Sequence, residues 1–324
     1  MVGYKDAMLT SPHRNLSEHP VDVFQFILDC HAENTPCVLA ILTGTQGGAV
    51  RTEGALMAIT SSGYACGYLS GGCIDADIIL QAQNALRTGQ SKTLHYGAGS
   101  PFLDITLPCG GAIEVTLFVK LNTASIRTAT DALLARRVAH LNFTNNGQSY
   151  SATYRPKLRV RIAGRSADPV ALARISVGTG IETELWSADE DCLANAAPID
   201  NLTIRTLTTP SALPGTGDDA STAFVLMMHD HDWEPALLIQ ALSGSAFYIG
   251  AVGSPHTHAK RCALLSEHGV SHSDIARING PIGLVPSLRD ASMLAISTLA
   301  EIIDAFHKDP TVAHTPSTGA LIHA

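Results

Sequence analysis

Residues 158–186 read LRVRIAGRSADPVALARISVGTGIETELW, and this stretch decides the fold of the second half of the chain. Leu158 to Ala163 has the make-up of a strand, Gly164 to Asp168 of a turn, and Pro169 to Val177 of a helix with proline in its first turn. Ile181 to Trp186 follows as a second strand. Farther along, Ala223 to Met228, Trp233 to Leu242 and Ala246 to Ile249 repeat the strand, helix, strand rhythm. Strands joined by helical crossovers form parallel sheets, so a Rossmann-like domain is expected from residue 156 to 324. Asp290 to Phe306 is a long helix whose apolar stripe (294, 295, 299, 302, 303 and 306) is expected in its core.

Upstream of Pro156 the pattern is irregular. Val21 to Cys30 has helical spacing, Pro36 to Thr43 is an apolar strand, and Gly44 to Gly48 is a glycine-rich loop. Gly54 to Thr60 and Tyr64 to Leu69 suggest a hairpin around Ser61-Ser62-Gly63. A helix is expected from Ile74 to Leu86, stopped at Gly89, then strands at Thr93–Tyr96, Leu103–Leu107 and Ile113–Val119. Ser125 to His140 has helical character, and Leu141 to Tyr154 is a hairpin turning at Asn146-Gly147. The fold class is therefore α/β: an N-terminal α+β module over residues 1–155, then the Rossmann-like parallel-sheet domain.

With 324 residues the chain can bury two ordinary cores. Apolar residues make up 45% and charged residues 15%, a globular composition. The net charge of -8 supplies no basic footprint for nucleic acid or an anionic membrane surface. No apolar run approaches the roughly 20 residues of a membrane span. The polar opening, with Lys5, His13, Arg14 and Glu18, is not expected to act as a secretory signal. The seven cysteines (Cys30, Cys37, Cys66, Cys73, Cys109, Cys192 and Cys262) contain no Cys-x-x-Cys pair, which suits free thiols in the cytoplasm.

Two of these cysteines sit in glycine-flanked bends: Ser70-Gly71-Gly72-Cys73 and Pro108-Cys109-Gly110-Gly111. A thiol beside glycines is reachable, whereas a cysteine kept as a small hydrophobe is surrounded by bulk. Cys73 stands where a helix begins, and helix N-termini stabilise thiolates and bind anions. Asp75 and Asp77 partly oppose a thiolate there. The plainer alternative is a small residue fitting a tight turn. Gly47, Gly48 and Arg51 offer amides and a cation to a phosphate, or form an ordinary surface loop. Gly164 fills the first place of a dinucleotide loop, but Ser166 fills the second, where a Cβ crowds a pyrophosphate. His229-Asp230-His231-Asp232 follows a strand end, with His256 and His258 nearby in sequence, and either ligates a metal or caps the next helix. Gly253 and Ser254 lead into a helix carrying Lys260 and Arg261, an anion site or simply a tight fold.

Taken in order, these segments resemble the XdhC/CoxI family, accessory proteins of molybdenum-containing xanthine and aldehyde oxidoreductases. The likeness rests on Arg51, Gly54-Ala55-Leu56-Met57, Leu69-Ser70-Gly71-Gly72-Cys73, Tyr96-Gly97, Asp104 and Leu107 to Val115. In the second half it rests on His229 to Asp232, Tyr248 to Ser254, Thr257 to Arg261, Pro281 to Leu284 and Ala300 to Ile302. The resemblance implies a maturation chaperone rather than a turnover enzyme. Such a chaperone binds molybdenum cofactor (molybdopterin), supports its sulfuration with a cysteine desulfurase, and passes it to an apo molybdenum hydroxylase. It also implies a homodimer.

On that reading Cys73 and Cys109 are the reacting groups and metal ligands. Gly47, Gly48, Arg51, Ser70, Gly71, Gly72, Gly110, Gly111, Gly164, Ser166, His229, Asp230 and Gly253 line the cofactor. Three places depart from the family pattern: Gly164-Arg165-Ser166-Ala167 for Gly-Ala-Gly-His, Ser187 for an acid, and Val285-Pro286-Ser287 for Asp-Ile-Gly. All three surround the nucleotide cleft expected of a Rossmann-like domain, which weighs against a bound nucleotide. The competing reading is a nucleotide-dependent oxidoreductase built on that domain.

Overall fold

A computed structural model describes residues 14–97, 110–145, 148–215 and 217–308. The chain divides into two compact units between Pro156 and Lys157. The Leu103–Leu107 strand, the Asn146-Gly147 turn and Cys109 lie outside the described residues.

In the first unit, β1 (Arg14–Asn15), β2 (Cys37–Gln46), β3 (Leu56–Thr60), β4 (Ala65–Gly67), β5 (Lys92–Gly97) and β6 (Ala112–Phe118) make a mixed sheet in the order β1-β4-β3-β2-β6-β5. Alternate residues of β2 enter different cores, because successive side chains on a strand point to opposite faces. Leu39 and Ile41 pack with α1 (Pro20–Ala32), α3 (Thr123–Leu134) and the hairpin of β7 (Ala139–Asn145) and β8 (Gln148–Tyr154). Val38, Ala40 and Leu42 pack with α2 (Asp75–Thr88). With both faces covered, β2 reads as a continuous apolar run.

Two expectations change here. β2 does not stop at Thr43: the ladder to β6 skips Thr43 and resumes at Gly44 opposite Glu114, so a β-bulge carries the strand to Gln46. The helix read to His140 ends at Leu134, because Arg136 adopts φ 59°, a left-handed conformation incompatible with helix.

The second unit contains β9 (Arg159–Gly164), β10 (Glu182–Ser187), β11 (Leu202–Thr206), β12 (Thr222–Met227), β13 (Tyr248–Ala251) and β14 (Ile278–Asn279). Their order is β11-β10-β9-β12-β13-β14 and every pairing is parallel, which is a Rossmann-type sheet. α4 (Ala167–Gly178), α5 (Glu190–Ala196) and α9 (Ala291–Lys308) cover one face. α6 (Glu234–Ser243) and α7 (Pro255–Glu267) cover the other, followed by the one-turn α8 (His272–Ile275). On α9 the stripe is buried at Ala295, Leu299 and Ile302, but Ile303 is 39% exposed, so the apolar face is narrower than its sequence suggests.

A buried charge network ties β9 to β10. Arg161 is fully buried, pairs with the Asp218 carboxylate, donates from Nε to Glu184 Oε2 at 3.0 Å, and lies 4.8 Å from the centre of the Trp186 ring. Burial pushes the Glu184 carboxyl up, but Arg161 and Arg159 outweigh it and hold its pKa below the ordinary value. A carboxylate with a depressed folded pKa stabilises above its unfolded pKa, about 4, and loses that contribution as pH falls. Glu184→Gln is therefore expected to lower the thermal midpoint at pH 7, and the gap to wild type is expected to shrink towards pH 3. Melting curves across that range measure it; a gap independent of pH contradicts the assignment.

Candidate functional site

Strand direction in the first sheet collects the glycine bends at one end. β2 finishes there at Gln46, opposite the start of β6 at Ala112, and Ala112 also pairs with Gly97 at the close of β5. β3 begins and β4 finishes at the same end, where Met57 pairs with Gly67. Gly47, Gly48, Arg51, the Ser70–Cys73 bend, Gly110 and Gly111 consequently share one rim.

The bends also touch. A Cβ on Gly111 would lie 2.2 Å from the Gly48 carbonyl oxygen and 2.7 Å from that of Gln46, so only glycine admits this approach. One on Gly97, at φ 93°, would lie 2.2 Å from the Gly111 carbonyl oxygen. Gly71 lies against Val50, close enough that an added Cβ would meet Val50 Cγ2 at 4.0 Å.

Asp75 builds the bend that presents Cys73. Instead of facing the thiol, its buried carboxylate turns back and accepts from Ser70 N at 3.0 Å, Ser70 Oγ at 2.9 Å and Leu69 N at 3.3 Å. Arg14 closes the cage at 3.6 Å. Ser70 Oγ in turn accepts from Gly72 N at 3.1 Å. The turn is thereby fixed from below, and Gly71, Gly72 and Cys73 stand exposed above it.

Arg51 already has partners within the chain. Its guanidinium donates to the Glu18 carbonyl at 3.1 Å, pairs with the Glu18 carboxylate at 3.6 Å and stacks 4.6 Å over the Tyr68 ring. Tyr68 donates to the same carboxylate. Arg51 therefore braces the segment leading into Ser70.

Beside the rim lies a cleft of about 300 Å³, lined by Gly44, Thr45, Gln46, His95, Tyr96, Ala112, Ile113 and Glu114. Thr43 Oγ1 donates to Glu114 Oε1 at 3.0 Å, and His95 Nδ1 stands 3.5 Å from Glu114 Oε2. Tyr96 donates to Asp77 Oδ2 at 2.7 Å; burial first, then Asp77, pushes its pKa well up and keeps the phenol protonated. His95, Thr43 and the caging role of Asp75 were not picked out from sequence. The alternation of Thr93 and His95 opposite Thr116 and Glu114 is the signal that points to them.

In the second unit, the predicted residues gather at the carboxyl end of β9 and β12, where the strand order reverses. A Cβ on Gly164 would meet the Met227 carbonyl oxygen at 2.7 Å, so this glycine serves strand packing. Ser166 holds φ 67°, the backbone shape of a glycine, and its N–H is taken by Asp189 Oδ2 at 2.9 Å. That bond leads the causes that lower the Asp189 pKa. Arg165, although exposed, pairs with Asp230 Oδ2 at 2.9 Å. Asp230 Oδ1 accepts from Asp232 N and Trp233 N at 3.0 and 3.3 Å, which ties the turn that leads into α6. His229 is exposed, and a Cβ on Gly253 would lie 3.1 Å from its Cε1. Among the described residues no three His, Cys, Asp or Glu side chains converge as a metal site.

Residues 160–302 match the XdhC Rossmann domain and residues 30–97 the XdhC and CoxI family. The molybdenum cofactor insertion chaperone PaoD of Escherichia coli (strain K12) is 30% identical over 331 residues, covering 97% of this chain and 95% of that protein. The chain belongs to the XdhC and CoxI family. A crystal structure described as a xanthine dehydrogenase from Bacillus halodurans shares the fold, with TM-score 0.72 over 91% of this chain and 99% of its own, at 19% identity.

Within this family member two groups of the dinucleotide loop already have partners inside the chain. A pyrophosphate needs loop N–H groups and a nearby cation. Here Asp189 holds the Ser166 N–H and Asp230 holds Arg165. Calorimetric titration with NAD(H) and NADP(H) is expected to release no heat and to leave the melting temperature unchanged. Micromolar binding would revive the oxidoreductase reading.

Proposed function

We propose that this chain carries molybdenum cofactor at the glycine-rich rim of its N-terminal sheet and delivers it to an apo molybdenum hydroxylase of the xanthine or aldehyde oxidoreductase type. The observation that carries the reading is the meeting of the glycine bends at one sheet end, with the Cys73 thiol exposed there. The relative named as an insertion chaperone supports the same role.

The residues fit such a cargo. Backbone amides at Gly47, Gly48, Gly71 and Gly110 are suited to a phosphate, since N–H groups in glycine turns form anion-binding concavities, while the Gly72 amide is kept by Ser70 Oγ. Cys73, and Cys109 beside Gly110, supply thiolates. The cofactor brings a thiophilic metal, for which thiolate is a fitting ligand. Exposure serves delivery: a carrier must release what it binds, and a thiol on a rim is displaced more readily than one in a sealed core. Sulfuration before delivery, a cysteine desulfurase as sulfur source, a homodimer and a cytoplasmic setting complete the reading. The Rossmann-like unit contributes a surface for the partner enzyme, not a nucleotide site.

The test is retention under anaerobic conditions. Protein purified with a cofactor source is expected to hold molybdopterin, and the Cys73→Ala, Cys109→Ala double variant is expected to hold at least about tenfold less, the order of one lost charge-assisted contact. Undiminished retention and delivery by the double variant removes the role given to the thiols.

A further inference from the structure

Three strands set a row of residues across one face of the N-terminal sheet: Gly44 on β2, Glu114 on β6 and His95 on β5, paired in register. Opposed residues stand about 5 Å apart on a sheet face. Glu114 therefore has a side chain on one flank and bare backbone on the other. A Cβ at Gly44 would lie 3.3 Å from Glu114 Cβ, so glycine keeps that flank open. The opening is the cleft of about 300 Å³, at the lower end of small-molecule sites.

The carboxylate is held in a set orientation. A carboxylate only accepts, so Thr43, which donates to Oε1 at 3.0 Å, must accept from Thr116 Oγ1 at 3.0 Å. Thr93 Oγ1, 3.1 Å from Thr116 Oγ1, extends this chain of hydroxyls. The chain polarises towards Glu114. With Thr43 on one oxygen and His95 beside the other, about two of its four acceptor sites remain, and the side chain is 41% exposed. Among the described residues no third His, Cys, Asp or Glu joins the pair to hold a metal.

An oriented carboxylate beside a cleft that Gly44 keeps open matches a planar ring that offers two parallel N–H donors. An aminopyrimidinone has that edge, a ring N–H beside an exocyclic amine, and it is the recognition edge of a pterin. We infer that the Gly44–Glu114–His95 row seats the pterin ring of the cargo, with Glu114 accepting from its ring N–H and its amine. This rests on the reading that the cargo is molybdenum cofactor. It adds a sequence-readable determinant outside the cysteine bends.

The experiment uses the full-length protein and three probes: the whole cofactor, pterin, and lumazine, in which a carbonyl replaces the amine. Pterin is expected to displace the bound cofactor at least about tenfold more effectively than lumazine, because one charge-assisted donor is missing in lumazine. Glu114→Gln is expected to erase that preference and to lower cofactor retention about tenfold. Gly44→Ala, which leaves every hydrogen bond of Glu114 in place, is expected to weaken both probes together by filling the slot. Melting temperatures establish that each variant is folded. Equal displacement by pterin and lumazine, no displacement by either, or unchanged retention in both variants overturns this assignment while a wild type that retains the cofactor leaves the carrier reading intact. A wild type that retains no cofactor removes both.

Discussion

Gly111→Ala is expected to abolish cofactor retention and to lower the melting temperature. The methyl group would stand 2.2 Å from one backbone oxygen and 2.7 Å from another, and neither can rotate away. Relief requires β6 and the Gly47–Gly48 bend to separate, at a cost of about 1–3 kcal/mol or more. Separation also breaks the rim, so binding falls further than stability. Gly110→Ala is the control. Nothing lies within 4 Å of its added Cβ, and only its φ of 68° resists, at about 1–2 kcal/mol. Comparing cofactor retention and thermal midpoints of the two variants measures the contact between the bends. A Gly111→Ala protein with wild-type retention contradicts it.

Asp218→Ala is expected to be the most destabilising change in the second unit. Its carboxylate is sealed from solvent and pairs with Arg161, which is itself 1% exposed, while Arg159 Nη2 lies 4.0 Å away. Removing Asp218 leaves the buried Arg161 with Glu184 as its remaining carboxylate, and breaking a buried pair costs up to about 3–5 kcal/mol. For a unit of this size that corresponds to roughly 6–20 °C in melting temperature. Desolvation already lowers the Arg161 pKa, with Glu184 pulling it back up, so the guanidinium depends on its carboxylates. Chemical denaturation monitored by Trp186 fluorescence measures the loss. A change below about 1 kcal/mol would mean that the pair is weaker than burial implies.

Much of this architecture was legible because both halves obey local rules. The strand, helix, strand alternation after Pro156 leads directly to a parallel sheet, and Gly89 stops α2 as a left-handed cap. What escaped was governed by contacts distant in sequence. β11 is an edge strand whose exposed side chains lack the apolar signature of its neighbours, and α5 is only seven residues long. The end of α3 depends on a left-handed Arg136, a residue type that gives no warning. Thr43 seemed to close a strand; its partner across the sheet made it a bulge.

The candidate site divides in the same way. The glycine bends announce themselves because no other residue offers bare amides, and the exposure of Cys73 follows from its neighbours. Arg51 reads from sequence as a phosphate ligand or as part of an ordinary surface loop; its pairing with Glu18, 33 residues earlier, is what only the fold reveals. Ser166 looked unsuited to its loop on account of its Cβ. The structure adds that Asp189 has already claimed its N–H. Residue types reveal which groups are able to bind; only the fold reveals which of them are already engaged.

Molybdenum K-edge absorption on the anaerobic, cofactor-loaded protein tests the central claim most directly. If the thiols on the rim hold the cargo, the wild-type spectrum contains more sulfur neighbours than the cofactor's own dithiolene and sulfido groups provide, and the excess disappears in the Cys73→Ala, Cys109→Ala variant. Identical spectra from the two proteins, both loaded, would place the metal elsewhere and leave the glycine bends without their assigned task.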